Sequence, residues 1–273
     1  MLEVTLSAFT DTLRDLGVEA GDGLLVHSAI QFLGRPRGGI AMYYHGLCSV
    51  LNGQDSTASQ DNIADPTSIT LIKGTIAVPT FNFDFCSGKR YDPKSTPAEG
   101  MGTFSEYIRG LPAARRTKHP MQSIALVGKD ADELAKWDTM SAFDHGSAFK
   151  RMLELDYKLL LLGADIQAVS MLHYSEERAE VPYRYWKDFS GEVRTPDGWR
   201  TLTYRMYVRD LEIDPQIELY PVQKLLVDAG QWSSLPINYG HVSLCRLVDF
   251  VSAIDSFLVK DPWSLVTNRP IGM

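Results

Sequence analysis

Apolar residues follow a helical rhythm over the first segment of the chain, where Leu6, Phe9, Leu13 and Leu16 fall on one stripe. Gly21-Asp22-Gly23 breaks that rhythm, and Leu24-Leu25-Val26 reads as a short buried strand leading into His27-Ser28. A loop punctuated by Gly and Pro (34–39) precedes a helical stretch (41–51), and residues 52–66 are polar and loop-like. A second strand covers 75–78 and stops at Pro79, after which 81–102 is aromatic and rich in turns. Helices are expected at 103–109, 130–137 and 148–155, with a third strand at 123–127. Lys158 is followed by four leucines and Gly163, a continuous apolar run of the kind covered on both faces. A helix at 169–180 follows it and ends at Val181-Pro182. Pro196-Asp197-Gly198, set between segments 191–195 and 199–204, predicts a hairpin. A helix near 216–229, a strand near 241–247 and a helix near 249–259 complete the chain. Strands alternate with helices in the first two-thirds and pair locally later. The expected architecture is therefore one α/β domain, 1–273, on a central mixed β-sheet flanked by helices, with a hairpin-containing region near 190–210.

Composition narrows the function classes. The 273 residues carry 27 basic and 34 acidic side chains, a formal charge of −7, and 44% are hydrophobic. That is a globular composition, and its acidic balance argues against a nucleic-acid partner, which would need clustered Lys and Arg. No apolar run approaches the roughly 20 residues that cross a bilayer, so no membrane partner is expected. Cys48, Cys86 and Cys245 are odd in number and lack zinc spacing. The amphipathic N-terminus lacks the pattern of a secretory leader, and a cytoplasmic location is the expectation. There is no GxGxxG, no phosphate-loop GxxxxGK[ST] and no GxSxG.

The chemistry concentrates after the leucine run. His173 and Glu176 are three apart, hence neighbours on one helix face, at a strand's carboxyl end where α/β sheets place their sites. A carboxylate beside an imidazole fixes its tautomer and leaves the other nitrogen free to take a proton. A surface ion pair is the bland alternative, and a metal set of His173, Glu176 and Glu177 a weaker one. His27-Ser28 ends the first strand, and Arg115-Arg116-Thr117-Lys118, followed by His119, is the chain's compact basic cluster, suited to phosphate. Cys86 lacks an identified base and reads as a packed thiol. His45, His145 and His241 receive no role.

In order along the chain stand Val26-His27-Ser28, Gly74-Thr75 with Val78-Pro79-Thr80-Phe81, Asp92-Pro93 with Thr96-Pro97, and Gly100-Met101-Gly102. Arg116-Thr117-Lys118-His119-Pro120 with Ser123, Gly146-Ser147, Leu160-Leu161-Leu162-Gly163, Leu172-His173-Tyr174-Ser175-Glu176 and Pro182-Tyr183-Arg184 follow. In these motifs the chain resembles the antibiotic N-acetyltransferase family, the aminoglycoside 3-N-acetyltransferase type. Ala29, Thr117 and Ser170 depart from the family's usual residues, the last two keeping a hydroxyl, and 52–66 looks like an insertion.

The resemblance implies acetyl transfer from acetyl-CoA to an amine, on a fold unrelated to the common GNAT one and without a metal. It implies His173 as general base with Glu176 orienting it. His27, Ser28, Thr75, Arg116, Thr117 and His119 would hold the cofactor. Thr75, or backbone N–H groups near Thr80, would stabilise the oxyanion. Phe81, Tyr183 and Arg184 would meet the acceptor. The aromatic and charged segment 182–189 slightly favours a sugar acceptor bearing negative charge, with Arg184 and Lys187 on a diphosphate. The acceptor readings are thus an amino sugar or aminoglycoside-like amine, or a nucleotide-linked amino sugar of surface-polysaccharide synthesis. A non-catalytic member binding CoA or sugar is a third reading, and a homo-oligomer is compatible with any of them.

Overall fold

The computed structural model describes residues 2–54 and 72–270. Its strands are β1 (Glu3–Val4), β2 (Gly23–Ser28), β3 (Arg35–Pro36), β4 (Thr75–Pro79), β5 (Arg115–Arg116), β6 (Ile124–Gly128), β7 (Lys158–Leu162), β8 (Arg184–Thr195), β9 (Gly198–Arg209), β10 (Ser233–Ile237) and β11 (Gly240–Arg246). Its helices are α1 (Leu6–Asp15), α2 (Ala41–Leu51), α3 (Gly102–Arg109), α4 (Ala131–Ala135), α5 (Ala148–Glu154), α6 (Leu172–Arg178), α7 (Tyr220–Asp228) and α8 (Leu247–Leu258). Of the polar stretch read as a loop, only its first three residues fall among those described.

Seven strands form the central sheet in the order β10-β11-β7-β2-β4-β6-β5. The three central strands β7, β2 and β4 are parallel, and antiparallel strands extend both edges. The mixed sheet expected from the sequence is therefore present. The leucine run forms β7 for a physical reason: Leu159 and Leu161 enter the core on one face, Leu160 and Leu162 the core on the other, and all are buried. Each fully buried Leu contributes about 1.5–3 kcal/mol relative to exposure, and a strand so covered has no polar face to signal alternation. Helices α1, α2 and α3 cover one face, and α4, α5, α6, α7 and α8 the other.

Several boundaries differ from the sequence reading. The helix expected over 169–180 is split: a short 3-10 turn (Ile166–Ala168), capped by the Asp165 side chain, precedes extended Val169, and α6 begins at Leu172. The hairpin is longer than its turn suggested. β8 and β9 pair over twelve residues each as a separate two-stranded sheet, so the aromatic segment 184–189 belongs to its first strand. The hairpin face carrying Val193, Tyr204 and Met206 packs over Phe85, Tyr91 and Met121. Strand β10 was absent from the reading because Pro236 interrupts its pattern.

Candidate active site

Strands β2, β4 and β7 run in the same direction, so their carboxyl ends share one edge of the sheet. At that edge β7 turns at Gly163, whose φ of +70° is left-handed and where a Cβ would stand 2.7 Å from the Ala29 carbonyl oxygen. Glycine there lets the chain leave β7 against the end of β2 and climb into α6. The His27 side chain alternates onto the same face as Leu25, toward α6. Its Nε2 lies 3.4 Å from the Ser170 hydroxyl, and the Ser170 carbonyl accepts from the His173 backbone N–H at 3.1 Å. Burial pushes the His27 imidazole down to about 4, so this ring is neutral at physiological pH.

His173 and Glu176 meet as their spacing predicts. His173 Nδ1 lies 2.6 Å from Glu176 Oε2, and the carboxylate can only accept, so Nδ1 carries the proton. Nε2 is then the basic nitrogen, on a ring whose side chain is 32% exposed and whose flank meets Phe143 edge-on at 6.0 Å. Glu176 itself has no exposed surface, and Arg184 Nε stands 2.8 Å from the same Oε2. Burial alone would raise this carboxyl, but the hydrogen bond and charge of His173, with Arg184, hold it below its ordinary value. The arrangement can orient a neutral imidazole and stabilise the imidazolium that forms when it takes a proton.

Past Phe143, which flanks the His173 ring, lies a cavity of about 330 Å³ that neither His173 nor Glu176 lines and in which acidic side chains outnumber basic ones. Asp144, Glu177 and Glu180 line it with Trp186 and Tyr174, and Arg178 stands at its rim, paired with Asp255 at 3.1 Å. The Ser141 hydroxyl donates to both Glu177 oxygens, at 2.7 and 2.9 Å. Burial nevertheless pushes the Glu177 carboxyl up to about 7, with the Asp144 charge adding to the rise. A cation entering here would favour its ionised form.

The other candidate residues are placed unequally. Ser28 ends β2 half-buried at the same edge as His27. Thr75 is a correction: it begins β4, at the opposite edge, and its hydroxyl joins the Asp130 carboxylate at 3.1 Å in a network with Tyr157. The sequence located the strand but not which end meets the site. Arg116 points inward, its Nε donating to the Ser123 hydroxyl at 2.9 Å, its Nη2 to the Thr80 carbonyl at 2.6 Å, and its face covering Tyr91. His119 is likewise committed: Nδ1 accepts from the Gln122 N–H at 3.0 Å, so Nε2–H faces the Arg205 carbonyl at 3.3 Å. Burial pushes this ring down to about 4. Thr117 accepts from the Ile124 N–H at 2.9 Å. Phe81 and Tyr183, expected against the acceptor, are core side chains, Tyr183 packing on Trp263 at 5.3 Å. Arg184 serves Glu176 rather than solvent.

Cations instead border two adjoining cavities, the second of them at the turn end of the hairpin. One, of about 770 Å³, is lined by Lys94, Arg109 and Arg115, and the other, of about 640 Å³, by Lys94, Lys118 and Arg194. Among the described residues no three His, Cys, Asp or Glu side chains gather closely enough to hold a metal ion. None of the described helices is long and apolar enough to cross a membrane. Sequence reasoning missed Ser141, Phe143 and the true partner of Arg184, which are brought to α6 from separate segments with no spacing to announce them.

Residues 25–258 match the family described as aminoglycoside 3-N-acetyltransferase. The chain is 30% identical over 209 residues to aminoglycoside N(3)-acetyltransferase III of Salmonella sp, covering 72% of this chain and 70% of that one. It is 26% identical over 187 residues to the SPbeta prophage-derived aminoglycoside N(3')-acetyltransferase-like protein YokD of Bacillus subtilis (strain 168), covering 66% of each. In fold it is similar to AAC-IIIb solved as a binary complex with CoASH, at a TM-score of 0.78 and 20% identity, over 98% of this chain and 100% of that one. It is also similar to sisomicin-bound AAC-VIa, at a TM-score of 0.76 and 22% identity, over 94% and 98% of the two chains. With an aligned family span from the second strand to the last helix, and His173 and Glu176 joined inside it, the chain belongs to the aminoglycoside 3-N-acetyltransferase family.

Proposed function

We propose that this chain transfers the acetyl group of acetyl-CoA to an amine of an aminoglycoside-like amino sugar, with His173 as general base and Glu176 as its orienting partner. The class, an acetyl-CoA-dependent N-acetyltransferase, follows from family membership. The observation that carries the mechanism is the 2.6 Å contact between His173 Nδ1 and the buried Glu176, which leaves Nε2 as the basic nitrogen of a partly exposed ring. The acceptor's neutral amine nitrogen attacks the thioester carbonyl carbon, and its N–H proton passes to Nε2. The tetrahedral intermediate then collapses, the C–S bond breaks, and the departing thiolate leaves as CoA after taking a proton. General-base help of this kind supplies about 10²–10⁴-fold, and holding both reactants in one cleft supplies much of the rest.

Two features support the acceptor class. In the cavity past Phe143 acidic side chains outnumber basic ones, as a polyamine requires. Arg184, which would have favoured a diphosphate-linked sugar, is turned onto Glu176. The named relatives are aminoglycoside acetyltransferases, and the AAC-VIa structure holds sisomicin. The exposed Lys94 and Arg194 of the two cation-bordered cavities are better placed for the cofactor's phosphates than Arg116, which lines the first cavity but is held by the Thr80 carbonyl, or the buried His119. A thiol-release screen with acetyl-CoA tests the reading against aminoglycosides and nucleotide-linked amino sugars. The expected result is CoA release with aminoglycosides. Release with no amine would overturn it, and release only with the nucleotide-linked sugars would move the acceptor.

A further inference from the structure

A carboxylate without solvent contact persists as an anion only where donors and positive charge surround it. Glu176 Oε2 accepts from His173 Nδ1 at 2.6 Å, and Arg184 Nε pairs with the same oxygen by charge at 2.8 Å, outside hydrogen-bond geometry. Arg184 is itself nearly enclosed, its side chain 12% exposed, and its Nη1 donates to the Tyr207 carbonyl at 3.3 Å. The first residue of β8 is thereby fixed against β9, and its charge cannot swing into solvent. We propose that Arg184 is a positioning residue: by neutralising Glu176 from beside His173, it keeps the His173–Glu176 pair free of an extra proton, so that Nε2 stays available as base.

A buried carboxylate touching an imidazole would otherwise bind a proton tightly, as an imidazolium ion pair, and an imidazolium cannot accept the proton of an attacking amine. A fixed positive charge at contact distance lowers the proton affinity of the pair, whichever member holds the proton. Arginine suits this use because it stays charged throughout the working pH range. The groups facing the pair come from every neighbouring segment. Glu177 shares α6, with Asp144 beyond it. Tyr183 and Tyr207 flank Glu176 from the hairpin base. His27 approaches through Ser170 and is neutral. Arg178 lies outward, held by Asp255 of α8. Glu177 titrates near neutrality and needs its own control.

The purpose of this device rests on the acetyl-transfer reading, but its measurement does not. The ring protons of His173 are titrated by NMR in the wild type, Arg184→Gln and Arg184→Lys, with His173→Ala identifying the resonance. The same titration in Glu177→Gln and in Glu177→Gln/Arg184→Gln removes the second buried carboxyl and supports folding of the Gln variant. The expected result is proton binding about tenfold tighter or more, one pH unit upward, in the Gln variants, with return toward wild type in Arg184→Lys. The acid limb of kcat/KM should move with it. A purely structural Arg184 would lower thermal stability without moving the ring titration, and an unmoved titration in a folded Gln variant would overturn the proposal. Should no amine be acetylated, the titration still decides the role of Arg184. Should acetylation occur with the titration unmoved, only that role falls.

Discussion

Replacing Glu176 by Gln removes one charge and almost no volume, so its consequences can be worked from the contacts. The carboxylate now gives one oxygen to both His173 Nδ1 and Arg184 Nε. Gln has a single acceptor oxygen and an NH₂ that must face the ring, the guanidinium or no partner at all. Facing the ring, it forces Nδ1 to accept and moves the proton to Nε2, the nitrogen that should be free. Facing away, it leaves Arg184 mostly buried without a counter-charge. Removing one member of a buried pair costs about 3 kcal/mol at the low end of its range, which for a chain of this size is a fall in Tm of roughly 6–10 °C. Turnover loses the oriented base, roughly 10²–10⁴-fold in kcat. The two effects separate if kcat is measured at 20 °C, with circular dichroism showing the variant folded. A folded Glu176→Gln enzyme whose kcat stays within threefold of wild type would refute the orienting role.

Three other outcomes follow from the structure. The Glu177 carboxyl sits at about 7 in the fold against an ordinary 4.5. Protonated, it adds stability that is present below the unfolded value and lost as pH rises through about 7. Glu177→Gln should therefore gain on wild type in unfolding free energy from pH 5 to pH 8, by about 3 kcal/mol at most, measured by denaturant unfolding. A gap independent of pH contradicts the shift. Gly163→Ala must fit a Cβ 2.7 Å from the Ala29 carbonyl at a left-handed φ. It should lose about 1–3 kcal/mol in denaturant unfolding, and unchanged stability would remove Gly163 from the account. His119→Ala should lower stability while leaving the KM for acetyl-CoA within twofold, since both ring nitrogens face backbone. A tenfold rise in that KM would restore a direct cofactor role.

How much of this was legible depended on how local each cause is. The leucine run announced β7 because burial on both faces writes itself into four consecutive positions. His173 and Glu176 were legible because a helix makes neighbours of residues three apart. Thr75 was misplaced because a strand's direction relative to its partner, here β2 parallel to β4, is not written in the strand. Arg116 and His119 read as cofactor contacts at a basic turn, but the Thr80 hydroxyl after β4 and the Ser123 hydroxyl before β6 claim Arg116, and the backbone of β9 claims His119. Arg184 read as a ligand contact for the same reason. Its partner lies eight residues earlier, across the turn that ends α6, and only the fold closes that distance.

The central claim is that His173 takes the proton of the attacking amine. It is tested most directly by comparing His173→Ala with wild type under saturating acetyl-CoA and an aminoglycoside acceptor, following CoA release, with acetyl-CoA affinity measured separately by calorimetry. The account predicts a fall in kcat of about 10²–10⁴-fold with the acetyl-CoA Kd essentially unchanged. Near-normal turnover by the variant would contradict it.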